Sequence, residues 1–185
     1  HWAGCRSAVR IGESIKSRSI VKKARSLAAR AETYIEKCYD PATGAYLQSV
    51  ERKSHDAGNL MLITMNYLNP NGGKALRHLK AMEKSLFINS NIFLRYREDD
   101  LGTAKNTFII CGFWYAEALA AVGMLDKAAS VIEKLNKCSN HLGLFSEDAD
   151  DKNGQWGNFP QTYSHVGLVN AVYRLSKKLD NPIFY

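Results

Sequence analysis

No two cysteines in this chain stand as a CxxC pair. Cys5, Cys38, Cys111 and Cys138 are widely separated, which argues against a zinc site and against a thiol redox motif. Such thiols read as reduced and mostly buried, and with them the protein reads as cytoplasmic. No apolar run approaches the roughly 20 residues that a membrane helix needs, so no membrane partner is expected. The opening HWAGCRSAVR lacks an initiator methionine and carries Gly4, Arg6 and Arg10 where a signal peptide has its apolar centre, so it does not read as a targeting segment. The net charge of +7 raises the question of nucleic acid, but no nucleic-acid motif accompanies it and no aromatics are interleaved to stack bases. Much of the charge lies at Lys16, Arg18, Lys22, Lys23, Arg25 and Arg30, punctuating Ile20, Val21, Leu27, Ala28 and Ala31. That is the wet side of an amphipathic helix, and no nucleic-acid partner follows from it. Neither His55 nor His165 has neighbours at metal-ligand spacing. Each reads as a helix-end hydrogen-bonding group, and no metal is expected.

The material present is ordinary globular protein. At 185 residues, 45% hydrophobic and 23% charged, the chain is long enough for one domain and too short for two large ones. Apolar spacing predicts helices over residues 2–16, weakened by Gly4 and Gly12, and over 20–39, stopped by the turn at 40–44. An extended piece through Tyr46, Leu47 and Val50 leads to a helix carrying Ala57, Leu60, Met61, Thr64, Met65 and Leu68. The turn at 69–73 ends it, and a returning helix carries Ala75, Leu76, Leu79, Met82 and Leu86. Residues 95–105 are polar and read as loop. A hairpin over 108–122 and 125–135 closes at Gly123, and a last helix spans 163–179. About seven helices with alternating short and long connections predict an all-α bundle or helical repeat.

The most informative stretch is 142–168, where a carboxylate loop, a glycine-rich turn and an aromatic helix entrance follow one another. Glu147 sits among Asp148, Asp150 and Asp151, neighbours that can raise a carboxyl's pKa as a general base requires. An acidic turn of this kind also serves to solvate a surface or to bind calcium loosely. Both readings stand on composition.

Four groups of residues decide between them. Phe113-Trp114 with Glu117-Ala118-Leu119, then GMLDKA (123–128), GLFSE (143–147), and Gly157 to Pro160 with Gln161, Ser164 and His165 occur in fixed order over about 70 residues. In that order they resemble glycoside hydrolase family 15, the glucoamylase family, which also includes glucodextranases and some trehalases. The resemblance lies with the C-terminal part of the catalytic domain, in the prokaryotic-type branch. It implies an (α/α)6 toroid of helical hairpins, incomplete here with about seven of twelve helices, in which residues 1–185 form that C-terminal part. The connections 39–56, 89–106 and 137–162 then belong to the active-site end, and the tight turns around Pro70 and Gly123 to the opposite end.

The resemblance also implies chemistry. Inverting glycosidases set two carboxyl groups roughly 6.5–9.5 Å apart across the scissile bond. By its place in GLFSE, Glu147 is the general base, while Asp148 and Asp150 shape the loop and its potential. Arg95 and Tyr96 open a segment (95–99) that resembles a sugar-binding motif whose arginine donates to hydroxyls of the sugar in the cleavage subsite. A rigid guanidinium with several donors suits that task. Tyr163 stands where the family has an aromatic against sugar, and a core role for it is the other reading. Trp114 is carried over as a substrate-binding residue, although its mid-helix place among Ile110, Phe113 and Leu119 reads as packing. No cofactor is implied. The expected partners are an α-glucan oligosaccharide or trehalose-type substrate, and the remainder of the catalytic domain or another copy of the chain. The segment 2–13 resembles one that follows the family's general acid by about a helix, with Arg6-Ser7 replacing its Asp-Arg pair. The general acid therefore has no counterpart in this chain, and the chain alone is expected to be inactive. A non-catalytic carbohydrate-binding or interaction domain is the alternative.

Overall fold

Helices form where apolar residues recur at helical spacing. The computed structural model of the protein describes residues 1–89, 92–99 and 102–179. Among the described residues are seven α-helices: α1 (Trp2–Ser14), α2 (Arg18–Lys37), α3 (Met61–Thr64), α4 (Gly73–Leu86), α5 (Ile109–Ala121), α6 (Leu125–Asn136) and α7 (Thr162–Lys178). The expected all-α class is what folds. The α1 and α2 helices pack as one hairpin, and α5 packs against both α6 and α7.

The centre of the molecule is α5. Of its 13 residues only Glu117 is not buried, and a helix apolar all round must be covered on every side. One side meets Leu60, Ile63, Leu79, Met82 and Leu86; the other meets Ile132, Leu135, Phe145 and Ala171. Each such large side chain contributes roughly 1.5–3 kcal/mol by leaving water. Gly123 ends the helix with φ +87, the left-handed geometry that closes the α5–α6 hairpin. Thirteen residues rise about 20 Å, so this turn lies far from the end of α5 where the chain enters at Ile109.

Three expectations are corrected. Residues 57–68 do not form one helix: a 3₁₀ turn (Ala57–Leu60) is followed by the single turn of α3. Asp56 accepts the Gly58 N–H at 2.7 Å and tightens the start, and Asn66 at φ +58 breaks the end. The extended piece through Val50 is strand only at β2 (Ala45–Tyr46), paired with β1 (Tyr39–Asp40) around the predicted turn. Residues 95–105, read as loop, carry β5 (Glu98–Asp99) paired with β6 (Gly102–Thr103), and further short strands lie in or beside the connections 89–106 and 137–162: β3 (Phe87–Asn89) with β4 (Ile92–Phe93), and β7 (Thr107–Phe108), β8 (Asp148–Ala149) and β9 (Gln155–Trp156) in one ribbon. Two or three residues are too few to display a period-two pattern. Residues 90, 91, 100 and 101 of the loop 89–106, and 180–185 at the C-terminus, lie outside the described residues. Among the described residues no helix is long and apolar enough to cross a membrane.

Candidate active site

The acidic loop is shaped by its own turn. Asp150 accepts the Trp156 indole N–H at 2.9 Å, the Gly154 N–H at 2.7 Å and the Lys152 N–H at 2.9 Å, which closes the β8–β9 connection. The Trp156 bond, then that to Gly154, hold its carboxyl below the usual carboxylate range. Register then fixes the rest: Asp148 lies between Phe108 and Trp156 across the ribbon. The Ile109 N–H donates to the Glu147 carbonyl at 3.0 Å, seating Glu147 over the start of α5. Among the described residues no group of three His, Cys, Asp or Glu side chains could hold a metal ion.

Glu147 is half-buried, and its Oε2 accepts from the Asn158 side chain at 2.8 Å and from the Asn158 N–H at 3.2 Å. Gly157, at φ +77, is what lets this strand come so close: a Cβ there would stand 3.0 Å from both Cβ and Oε2 of Glu147. Beside it, burial and then the charge of Glu147 push the Asp148 carboxyl up to about 6. The strongly raised carboxyl of the acidic run is thus Asp148, next to the candidate base.

Glu147 and Asp148 share a cleft of about 430 Å³ with Arg95, Tyr96, Lys105 and Phe108. Arg95 is held from below. Its Nε donates to Oδ1 of Asp56 at 2.8 Å, and Asp56 is only 8% exposed. The guanidinium also lies 5.7 Å from the centroid of the Trp114 ring. Tyr163, 45% exposed, meets Trp114 edge-on at 6.0 Å and Phe108 at 6.2 Å. The five side chains named from the sequence therefore come together in two ranks. Glu147, Arg95 and Tyr96 line the cleft. Trp114, 7% exposed, supports Arg95 and Tyr163 and itself opens on a second depression beside Glu117 and Arg174. Cys111 senses Arg95, Asp56 and Asp148; burial pushes its thiol up, so it is no ready nucleophile.

The motif residues converge for a packing reason. Phe145 meets Phe113 edge-on at 5.6 Å, and its carbonyl accepts the Gln161 N–H at 2.8 Å. Ser164 donates to the Ser146 carbonyl at 2.8 Å, and the His165 ring joins the Phe145 N–H (3.4 Å) to the Gln161 carbonyl (2.8 Å). GLFSE is thereby zipped to the start of α7, and His165 acts as the helix-end group expected. His55, given the same reading, has a buried Nε2 with no hydrogen-bond partner among the described residues. Glu117 accepts from Arg174 at 2.9 Å, tying α5 to α7. Asp56 was not singled out from sequence, and Asn158 entered only as part of the motif 157–160, with no role of its own. Asp56 carries a cap signal before the 3₁₀ turn, but nothing local points to Arg95, 39 residues away.

A set of helical hairpins with a carboxylate cleft at the mouth of a central helix is the arrangement of the expected α/α toroid. The solved structure described as "Glycosidase Wild Type" superimposes with a TM-score of 0.71 over 89% of this chain and 46% of that one, at 16% identity, so the present helices form an incomplete toroid. Residues 1–173 match the model of Glycosyl hydrolases family 15, and the chain belongs to that family. A trehalase of Thermoplasma volcanium is 34% identical over 96% of this chain and 29% of its own length. A trehalase of Thermoplasma acidophilum is 31% identical over 95% and 31%, and one of Mycobacterium tuberculosis 27% identical over 92% and 26%. The chain thus spans less than a third of the length of these curated relatives.

Proposed function

We propose that this chain is the C-terminal part of the catalytic domain of an inverting α-glucosidic-bond hydrolase, with Glu147 as its general base. The observation that carries the reading is the seating of the Glu147 carboxylate, held by one oxygen, on a cleft that Arg95 and Tyr96 also line. Water bound between the sugar and Glu147 gives up a proton to the carboxylate as its oxygen attacks the anomeric carbon from the face opposite the leaving group. Arg95, fixed by Asp56, donates to sugar hydroxyls, and the exposed face of Tyr163 covers the apolar side of the ring. A carboxylic acid from outside this chain protonates the leaving oxygen. Two carboxyl groups and water complete the reaction without a cofactor.

The trehalase names of the relatives make trehalose the first substrate to test, ahead of α-glucan oligosaccharides. An apolar stripe on α7 (Tyr163, Val166, Val169, Tyr173) lies exposed, and such a stripe suits coverage by the remainder of the catalytic domain or another copy of the chain. All four cysteines are free, which fits a cytoplasmic protein. The test is glucose release from trehalose, maltose and isomaltose by this chain alone and by the chain joined to the upstream half of the domain. Each is compared with Glu147→Gln. We expect activity only in the joined protein, falling roughly 10²–10⁴-fold on substitution. Well-folded protein inactive in both forms would instead support a non-catalytic carbohydrate-binding domain.

A further inference from the structure

The fold treats the two oxygens of the Glu147 carboxylate differently. Oε2 accepts both the side-chain amide of Asn158 (2.8 Å) and its backbone N–H (3.2 Å), while no donor among the described residues reaches Oε1. The contact is reciprocal, since the Glu147 N–H donates to the Asn158 carbonyl at 2.9 Å. One residue therefore grips both ends of the base. Gly157 at φ +77 supplies the close approach, and Gln161 bonded to Phe145 anchors the strand on its far side.

We propose that Asn158 is the positioning residue of the general base: by occupying Oε2 with two donors it fixes the carboxylate rotamer and reserves Oε1 to take the proton from the attacking water. The proposal rests on the reading of Glu147 as that base. In the step, an O–H bond of water breaks and its proton passes to Oε1. The oxygen's electron pair forms the new bond to the anomeric carbon. The glycosidic C–O bond breaks, its pair leaving with the oxygen that the second carboxylic acid protonates. Donors on Oε2 stabilise the carboxylate without competing for the lone pair that does the work. Placement matters because a misplacement on the order of 1 Å at a reacting group costs about 10²-fold in rate.

The experiment is a double-mutant cycle on the joined, active protein, reading kcat and KM for trehalose. Asn158→Ala should lower kcat about tenfold, the worth of one charge-assisted hydrogen bond, with KM within about twofold. Asn158→Asp keeps the volume and the backbone bond but sets a second carboxylate against Oε2. It should lower kcat further and remains the decisive variant if the alanine form fails to fold. In the Glu147→Gln background both substitutions should change kcat by less than about twofold, because a base that no longer takes a proton no longer needs holding. Losses that multiply those of Glu147→Gln would reduce Asn158 to scaffolding and overturn the proposal, as would wild-type kcat in Asn158→Asp. Unchanged kcat in Glu147→Gln itself would instead sink the general-base reading.

Discussion

Removing Asp56 tests how the cleft holds its arginine. The carboxylate is 8% exposed, takes the Arg95 Nε–H at 2.8 Å on Oδ1, and takes the Gly58 N–H at 2.7 Å on the same atom. Asp56→Ala loses both bonds. A hydrogen bond to a charged group contributes about 1.5–3 kcal/mol and a helix-start cap about 1 kcal/mol. The Arg95 side chain is 38% exposed, so water recovers part of the first. The expected loss is about 2 kcal/mol, seen as a fall in Tm of roughly 4–8 °C for a protein of this size. Asp56→Asn keeps an acceptor for both donors and loses only the charge, so about half that loss is expected. The catalytic readout should be ordered the same way. With Arg95 free to swing off Trp114, KM for trehalose of the joined protein should rise in Asp56→Ala more than in Asp56→Asn, by roughly tenfold for the former, or about 1.4 kcal/mol. Equal Tm values for the two variants, or an unchanged KM in Asp56→Ala, would refute the claim that this buried carboxylate orients the arginine.

Two further outcomes follow from the same cleft. The Asp148 carboxyl is raised from 3.8 to about 6, so the folded protein binds its proton more tightly than the unfolded chain. Stability therefore falls as pH rises from about 4 to about 6 and stays lower above that window. Asp148→Asn, which cannot ionise, should be more stable than the parent at pH 7.5 by about 1 kcal/mol after discounting for solvent contact, and no more stable near pH 4. Thermal melts at the two pH values check it, and a variant less stable at pH 7.5 contradicts it. Gly157→Ala places a side chain at φ +77, a conformation costing about 1–2 kcal/mol, and a Cβ 3.0 Å from Glu147 Oε2. A lower Tm should accompany a fall in kcat of the joined protein of about 10² from displacement of the Glu147 carboxylate; a drop in Tm with kcat unchanged would show that the carboxylate gives way harmlessly.

What the sequence made legible divides by distance along the chain. The α5–α6 hairpin could be read directly because its signals are local: an apolar run long enough to be only a helix, then a glycine at the left-handed turn. Residues 57–68 misled because helical spacing there is real while the backbone is governed by the Asp56 side chain at one end and the left-handed Asn66 at the other, whose turn chemistry outweighs periodicity. The short strands were invisible for the opposite reason, having no pattern of their own and existing only where a partner loop arrives.

The cleft follows the same rule. Glu147, Arg95 and Tyr96 were named because each lies inside a motif, and the cleft brings them together. Trp114 was open to both a packing and a substrate reading, and its burial beneath Arg95 reconciles them, since a ring that packs can still set the angle of a guanidinium on its face. Asp56 escaped, as did the role of Asn158 within its motif, because their partners are 39 and 11 residues distant, and only folding makes a carboxylate and an arginine, or an amide and a carboxylate, into a pair. Gly157, Asn158, Gln161, Ser164 and His165 then act as one block for a physical reason. Each of these side chains or backbones touches the segment Phe145 to Glu147, so loss of any one loosens the carrier of the same carboxylate.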